Sequence, residues 1–169
     1  MGWNSSLVLI ANKTVKQVEK AIPDVFTVTD RVIGAVDAIS SQLYPNAAIG
    51  VISGWVALWT SNDRLVLFDE FLEAASKGKG RAVVCLQSSV STIHGFIVYE
   101  KGKHRRTLIR ENYEAVVDEG DSLPEEASLT WKDDEDTVFE IVRLLTGVDV
   151  ADFDTWKDVK FTVVESPEV

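Results

Sequence analysis

The side chains most often used in catalysis are scarce in this chain, which holds two histidines and one cysteine. His94 precedes Gly95 in an otherwise apolar stretch, a context typical of a semi-buried imidazole whose hydrogen bonds are satisfied. His104 stands among four cations, which disfavour its protonation, and we expect it to face solvent. Cys85, in AVVCLQ, is predicted to be a buried thiol of a strand. A constellation of His94, Cys85 and an acid stays open, because catalytic residues need to meet only in space.

No catalytic, metal or nucleotide motif accompanies these residues in the sequence. There is no H-E-x-x-H helix, no G-x-S-x-G nucleophile turn and no glycine loop that would cradle a phosphate. The acidic stretch DDEDTVFEIVRL, residues 133–144, lacks the central glycine and most ligands of a calcium-binding loop. We therefore expect no metal and no cofactor, and the sequence leaves enzymatic activity uncertain, with the balance against it.

Acidic residues are concentrated in one part of the chain. Residues 111–140 contain twelve Asp and Glu against one Lys, a net charge of −11, whereas the whole chain carries −10, so the remainder sums to +1. One interpretation is a solvated surface whose carboxylates also favour a helix N-terminus. The other is a docking face for a protein partner with a basic surface. That face would use Asp133, Asp134 and Asp136, with Trp131 as an aromatic anchor beside them.

A second charged site follows from the predicted pairing of two strands. If RAVVCLQ pairs antiparallel with TIHGFIVYE, the start of the first lies beside the end of the second. This basic edge then gathers seven cations: Lys77, Lys79, Arg81, Lys101, Lys103, Arg105 and Arg106. They would bind a small anion or an acidic partner, or they keep a hairpin tip soluble and protect an edge strand. Nucleic acid is disfavoured, because phosphate binding would compete with an overall charge of −10.

The pattern of apolar residues predicts an α+β fold. We expect a single domain over residues 1–169, with a largely antiparallel β-sheet and about four helices packed on it. Strands are predicted in SSLVLIA, AIGVIS, WVALWT, LVLF, RAVVCLQ, TIHGFIVYE, HRRTLIRENY and DVKFTVVE, and a short one at residues 115–118.

The helices that should pack on this sheet are predicted from capping residues and periodicity. The clearest, DTVFEIVRLLTG, has Asp133 or Asp134 as its N-cap. Shorter helices are expected over residues 14–22 and after Asp69. A further helix is predicted to begin at Asp30. Its apolar stripe would consist of Val32, Val36, Ile39 and Leu43.

Uninterrupted apolar runs are short. LVLIA, residues 7–11, falls far below the roughly 20 residues that span a bilayer, and it is also too short for a signal-peptide core. A single cysteine makes no internal disulfide, so an oxidising compartment is not implied. We therefore expect a cytoplasmic protein without membrane association.

Four short segments carry a resemblance to a known family. MGWNSSLVLI opens directly into a strand, LYP ends an early helix, FIVYEKGKHRR forms a glycine-tipped hairpin, and GDSLPEE follows the sheet. With these segments, which are spread over most of its length, the chain resembles a family of small uncharacterised bacterial proteins of actinobacterial type. The resemblance implies a compact bacterial cytoplasmic domain. It implies no functional residue, because that family has no assigned reaction.

Two classes of function stay open at this point. The first is a protein–protein interaction module, acidic and of immunity or inhibitor type, that masks the basic surface of a toxin or enzyme, with Trp156 as a second aromatic anchor. Ordinary packing in the core is the alternative for both Trp131 and Trp156. The second is a small-ligand binder or enzyme with a pocket near His94 and the strand that carries Trp55 and Trp59. These two tryptophans are four residues apart and share a face of that strand, where packing in the core is the default expectation.

Overall fold

The computed structural model describes residues 3–60, 65–66 and 68–167. These residues form nine strands: β1 (Asn4–Ala11), β2 (Thr27–Gly34), β3 (Ala47–Ile52), β4 (Trp55–Thr60), β5 (Arg81–Ser88), β6 (Ile93–Glu100), β7 (Lys103–Glu111), β8 (Glu114–Glu119) and β9 (Lys160–Glu165). The strands pair antiparallel in one sheet with the spatial order β2-β9-β3-β4-β1-β5-β6-β7-β8. The predicted α+β class with an antiparallel sheet is confirmed.

Helices cover both faces of the sheet. The described residues contain four α-helices: α1 (Val15–Glu19), α2 (Ala35–Ala38), α3 (Asp69–Ala75) and α4 (Asp134–Thr146). Buried residues of α2 and α4 belong to one apolar cluster, and those of α1 and α3 belong to another. Short 3-10 helices at Ser41–Leu43, Pro124–Ser128 and Phe153–Thr155 complete the regular structure of the described part.

Strand β1 shows how the sequence builds two cores. Leu7 and Leu9 enter the cluster that contains α4, whereas Val8 and Ile10 enter the cluster that contains α3. Successive side chains of a strand point to opposite faces, so a central strand covered on both sides needs apolar residues at every position. This requirement explains why β1 reads as a continuous apolar run rather than as an alternating one.

The helix predicted to begin at Asp30 was wrong. Asp30 and Val32 lie in β2, and α2 begins only at Ala35 and spans four residues. Val32 and Val36 of the predicted stripe are 61% and 64% exposed, so they line no buried helix face. The β-branched residues of TVTDRVI favour a strand, and pairing with β9 outweighs a helical spacing that arose by coincidence.

The segment before α3 also differs from its prediction. Leu65 and Val66 lie in a turn rather than in the predicted strand LVLF, while Leu67 and the predicted turn at residues 61–64 lie outside the described residues. The N-cap of α3 is Phe68, not Asp69. Asp69 lies one position further into the helix, where its Oδ1 accepts a hydrogen bond from the Tyr99 hydroxyl at 2.8 Å.

Helix α4 and its N-cap supply the acidic residues of the candidate site. Its N-cap is Asp133, whose Oδ1 accepts from the backbone N–H of Asp136 at 3.1 Å, and Gly147 ends it with φ of +75°. The buried stripe is as predicted: Val138, Ile141, Val142 and Leu145. The stripe packs over β5 and β6. The acidic first turn then lies beside the end of β5 and the start of β6. None of the described helices combines the length and the apolar character needed to cross a bilayer.

Candidate functional site

The first turn of α4 and the ends of three strands border a pocket of about 350 Å³. Its lining residues are Ser89, Thr92, His94, Tyr113, Asp133, Asp134, Glu135 and Asp136. The pocket therefore brings together two sites that the sequence kept apart: His94 of the predicted ligand pocket and the carboxylates of the predicted acidic face.

A row of polar residues crosses the sheet at this pocket. Gln87 of β5, His94 of β6 and Arg110 of β7 are direct cross-strand neighbours. Such neighbours share a face of the sheet, and β5 and β6 are the strands on which α4 packs. Gln87 and Arg110 were not among the site residues predicted from the sequence. Each is a polar residue within an otherwise apolar strand, and this could have marked it as a candidate. Only the strand register shows that these polar residues lie side by side.

His94 is 7% exposed and is oriented by a chain of hydrogen bonds. Gln87 Nε2 donates to the backbone carbonyl of Glu135 at 3.1 Å, which sets the orientation of the amide. The amide oxygen then accepts from His94 Nδ1 at 2.5 Å, so Nδ1 carries a proton. None of the described residues forms a hydrogen bond with the other ring nitrogen, Nε2. The predicted semi-buried imidazole is confirmed, with one ring nitrogen left over.

Asp134 does not belong to an exposed face, contrary to the prediction. It is 3% exposed, and its Oδ1 accepts from Arg110 Nε at 2.8 Å. Successive helical residues point roughly 100° apart, so one of several consecutive acids must turn toward the sheet, and here it meets Arg110. The second carboxylate oxygen, Oδ2, is buried and has no hydrogen-bond partner among the described residues.

The two predicted aromatic anchors are engaged within the protein. Trp131 packs partly against the core, and the Arg110 guanidinium lies over its ring at 4.9 Å from the centroid. Trp156 is 1% exposed and donates its indole N–H to the Val150 carbonyl at 3.0 Å. The prediction of Trp156 as a surface anchor was wrong, because the residue fills the core beneath α4.

The remaining pocket acids stay accessible. Asp133 and Asp136 are exposed, and no Lys or Arg in the described part of the chain forms an ion pair with either. Glu135 is half-buried, and its Oε2 accepts from the Ser89 hydroxyl at 2.6 Å. The rim of the pocket therefore carries negative charge that the protein does not neutralise.

Trp55 and Trp59 do not line the His94 pocket, contrary to the predicted placement of the ligand site. Trp59 is 1% exposed, and its ring stacks on Trp3 with centroids 6.0 Å apart and packs against Trp156 at 5.2 Å. Trp55 packs against the same cluster. The default expectation, that both share a face of the strand and pack in the core, is confirmed.

The basic edge forms in the backbone as predicted. Arg81 pairs with Glu100 across β5 and β6, and the Lys101 N–H donates to the Gly80 carbonyl at 3.2 Å. Glu100 compensates part of this charge, because it lies between two arginines, with 2.9 Å to Arg81 Nε and 3.6 Å to Arg105 Nε. The first contact is an ion pair rather than a directed hydrogen bond. The exposed cations that remain are Lys77, Lys79, Lys101, Lys103 and Arg105.

Arg106 does not belong to the exposed basic edge, contrary to the prediction. Its side chain is 3% exposed and lies 2.9 Å from Glu126 Oε1 and 2.5 Å from Asp118 Oδ1. It also donates to the carbonyls of Glu119 and Gly120 at 3.2 and 3.1 Å. Its hydrogen bonds to Glu126, opposed by burial and assisted by Asp118, raise the pKa of Arg106. The acidic segment folds back over β7, so part of its charge is neutralised within the molecule.

Cys85 and the acids of the described residues do not form a recognisable reaction centre. Cys85 is 2% exposed, and burial raises the pKa of its thiol to about 12, which keeps it protonated and unreactive. Its predicted burial in a strand is confirmed. Within the described ranges, no group of three or more His, Cys, Asp or Glu is arranged to hold a metal ion.

Comparison of the chain with protein-family models, with curated proteins and with solved structures found no match. The resemblance to small bacterial proteins that the sequence suggests stays a prediction.

Proposed function

We propose that this protein is an interaction module, acidic and of immunity or inhibitor type, which binds a basic surface of another protein. The contact would centre on the rim of the α4 pocket, and the cytoplasm is the compartment that we propose for it. The charge distribution supports this proposal better than it supports an enzyme, since the pocket offers acceptors and negative charge but no activated nucleophile.

One observation carries the proposal: the buried or strand-bound acids Asp118, Glu126 and Asp134 are paired with arginines, whereas the acids on the pocket rim are not. Arg106 binds Asp118 and Glu126, and Arg110 binds Asp134. Asp133 and Asp136 have no such partner among the described residues. Crowded like charges cost stability, so an uncompensated cluster on a pocket rim favours recognition of a cation. An exposed negative patch would also accelerate the encounter with a basic protein.

The test isolates a partner from the native host and measures its association rate at two salt concentrations. The variant is Asp133→Asn with Asp136→Asn, because asparagine still serves as an N-cap for α4. Asp134 stays unchanged, since its loss would remove the carboxylate that pairs with the half-buried Arg110. We expect a several-fold slower association at low salt, and the difference should shrink as salt screens the charges beyond about 8–10 Å.

The matched control removes the same number of charges elsewhere. Asp24→Asn with Asp158→Asn changes two exposed carboxylates that lie away from the pocket. It should leave the association rate close to that of the wild type. Equal rates for the pocket-rim variant and this control at low salt would reject the proposed function.

A second candidate function is the binding of a free small ligand in the same pocket. The volume of about 350 Å³ favours it, since ligand sites span roughly 300–1,000 Å³. The polar lining disfavours it, since such sites are mostly apolar. Purified protein that gains thermal stability from small organic cations, but captures no protein partner, would support this second function over the first.

A further inference from the structure

We infer that the α4 pocket holds the guanidinium group of an arginine side chain that the partner protein carries. The inference rests on the proposed function and names the chemistry at its centre. Acidity alone would not support it; the support comes from two atoms of largely buried side chains at the pocket, His94 Nε2 and Asp134 Oδ2, to which none of the described residues donates.

The first acceptor is His94 Nε2. Gln87 keeps a proton on Nδ1, so Nε2 accepts a hydrogen bond when the ring is neutral, and Gln87 is itself held by the Glu135 carbonyl, so the orientation of the imidazole is determined by the fold. A histidine that is 7% exposed and lines a pocket gains a hydrogen bond only from a group that enters the pocket. Water or a ligand donor must supply it.

The second acceptor is Asp134 Oδ2. Arg110 satisfies only Oδ1, and Oδ2 is buried without a partner among the described residues. A buried carboxylate oxygen without a donor is costly, and such exceptions in native proteins call for an explanation. Because Oδ2 lies just behind the pocket surface, a donor-bearing cation in the pocket would reach it after a small shift of the Asp134 side chain.

An organic cation fits these acceptors better than a metal ion. No group of metal-ligating residues with suitable geometry occurs in the described part of the chain. The protein also contains its own example of the arrangement, because Arg110 lies between the Asp134 carboxylate and the ring of Trp131. Tyr113 supplies an exposed ring to the lining of the pocket that Asp134 also borders.

Guanidinium matches this set better than ammonium does. Its five N–H donors lie in one plane and can serve several acceptors at once, and its face stacks on an aromatic ring. A lysine ammonium is a point charge with three donors and no planar face. The acceptors here come from a strand and from a helix, so a planar, many-donor cation meets more of them.

The first experiment uses the wild-type protein and three capped amino acids: N-acetyl-arginine methylamide and its citrulline and lysine counterparts. Citrulline has nearly the shape of arginine but no charge. Backbone amide NMR shifts are followed during titration. We expect saturable shifts in residues 92–94 and 133–136 with the arginine probe, and affinities at least tenfold lower for citrulline and several-fold lower for lysine.

Each contrary result overturns a defined part of the inference. Equal binding of the citrulline probe, or shifts that map outside the pocket, would reject a cation site here. Equal binding of the lysine probe would reject guanidinium as the preferred group. These measurements need no variant, so they remain decisive even where a substitution disturbs the fold.

The second experiment compares His94→Phe with His104→Phe. Phenylalanine keeps a ring at each position and removes the acceptor nitrogen, and His104 is exposed and does not line the pocket. His94→Phe should weaken the arginine probe at least fivefold, whereas His104→Phe should leave its affinity unchanged. Equal affinities of the two variants would exclude His94 as a ligand-binding residue.

The outcomes also separate this inference from the proposed function. A slower association of the Asp133→Asn, Asp136→Asn variant with the partner, without arginine binding in the pocket, would reject the inference and leave the proposed function standing. Arginine binding in the pocket without any effect of that variant on the partner would reject the proposed function. The guanidinium would then belong to a free small molecule, which overturns the assignment to a partner side chain.

Discussion

Two arginines of β7 meet the acidic segment in different ways. Arg106 and Arg110 are four residues apart on one strand, so both point to the face of the sheet on which α4 packs. Arg106 contacts both oxygens of Glu126, one of Asp118 and two backbone carbonyls. Arg110 reaches only one carboxylate oxygen of Asp134, together with the Tyr113 carbonyl.

The difference separates an internal ion-pair network from the region of the proposed binding site. The Arg106 guanidinium is hydrogen-bonded to the acceptors around it, and through Glu126 it holds the Pro124–Ser128 segment against the sheet. Around Arg110 the neighbouring acceptors outnumber the donors that the protein supplies. A buried ion pair is most stable when its hydrogen bonds are satisfied, so the Arg106 region has a structural role, whereas the Arg110 region leaves Asp134 Oδ2 without a donor and is the proposed binding site.

The largest expected effect is that of Arg106→Met. Methionine retains an apolar stem but leaves the largely buried Glu126 carboxylate without its cation. Loss of one member of a buried pair typically costs about 3 kcal/mol or more, so we expect the free energy of unfolding, measured in urea, to fall by about 3 kcal/mol.

Arg105→Met is the matched control for this substitution. Its side chain is 58% exposed, and Nε lies 3.6 Å from Glu100, so the expected loss is below about 1 kcal/mol. Similar losses for the two variants would mean that the Arg106 network contributes no more than a surface ion pair, and the contrast between the two arginines would not hold.

A smaller effect is expected for Arg110→Met. The buried Asp134 carboxylate loses its only donor among the described residues, and a hydrogen bond between charged groups contributes about 2 kcal/mol. A double-mutant cycle with Asp134→Asn should give a coupling energy of at least about 1 kcal/mol. Additive losses would show that the two side chains do not act as a pair.

The smallest effect is expected at Asp133. Substitutions there test whether its negative charge is needed to stabilise α4 or is free to contact a ligand. Asp133→Ala removes the N-cap and should cost about 1 kcal/mol, while Asp133→Asn preserves the cap and should change stability by only a few tenths of a kcal/mol. Thermal or urea unfolding measures both. If Asp133→Asn destabilised as much as Asp133→Ala, the charge would be needed for the helix, and its value as evidence for recognition would disappear.

Local patterns sufficed for much of the fold. Neighbouring residues alone predict the apolar runs of β1, β5 and β6, the N-cap Asp133 and the buried stripe of α4. Strand periodicity, helix periodicity and capping are short-range effects. The same patterns failed at β2. There the strand forms by pairing with β9, more than a hundred residues later, and a local spacing that fits a helix carries no information about that contact.

The sequence alone determined that this protein has an acidic segment, a basic hairpin end and an α+β fold with a buried thiol, since composition and periodicity decide these properties. Only the tertiary structure decided which charges are free. Arg106 and Asp134 stand in charged runs that look exposed, yet each lies beneath another segment and is paired there. The physical reason is that the cost of burying a charge depends on its partners, and strand register and helix docking alone bring Gln87, His94, Arg110 and the first turn of α4 to one pocket.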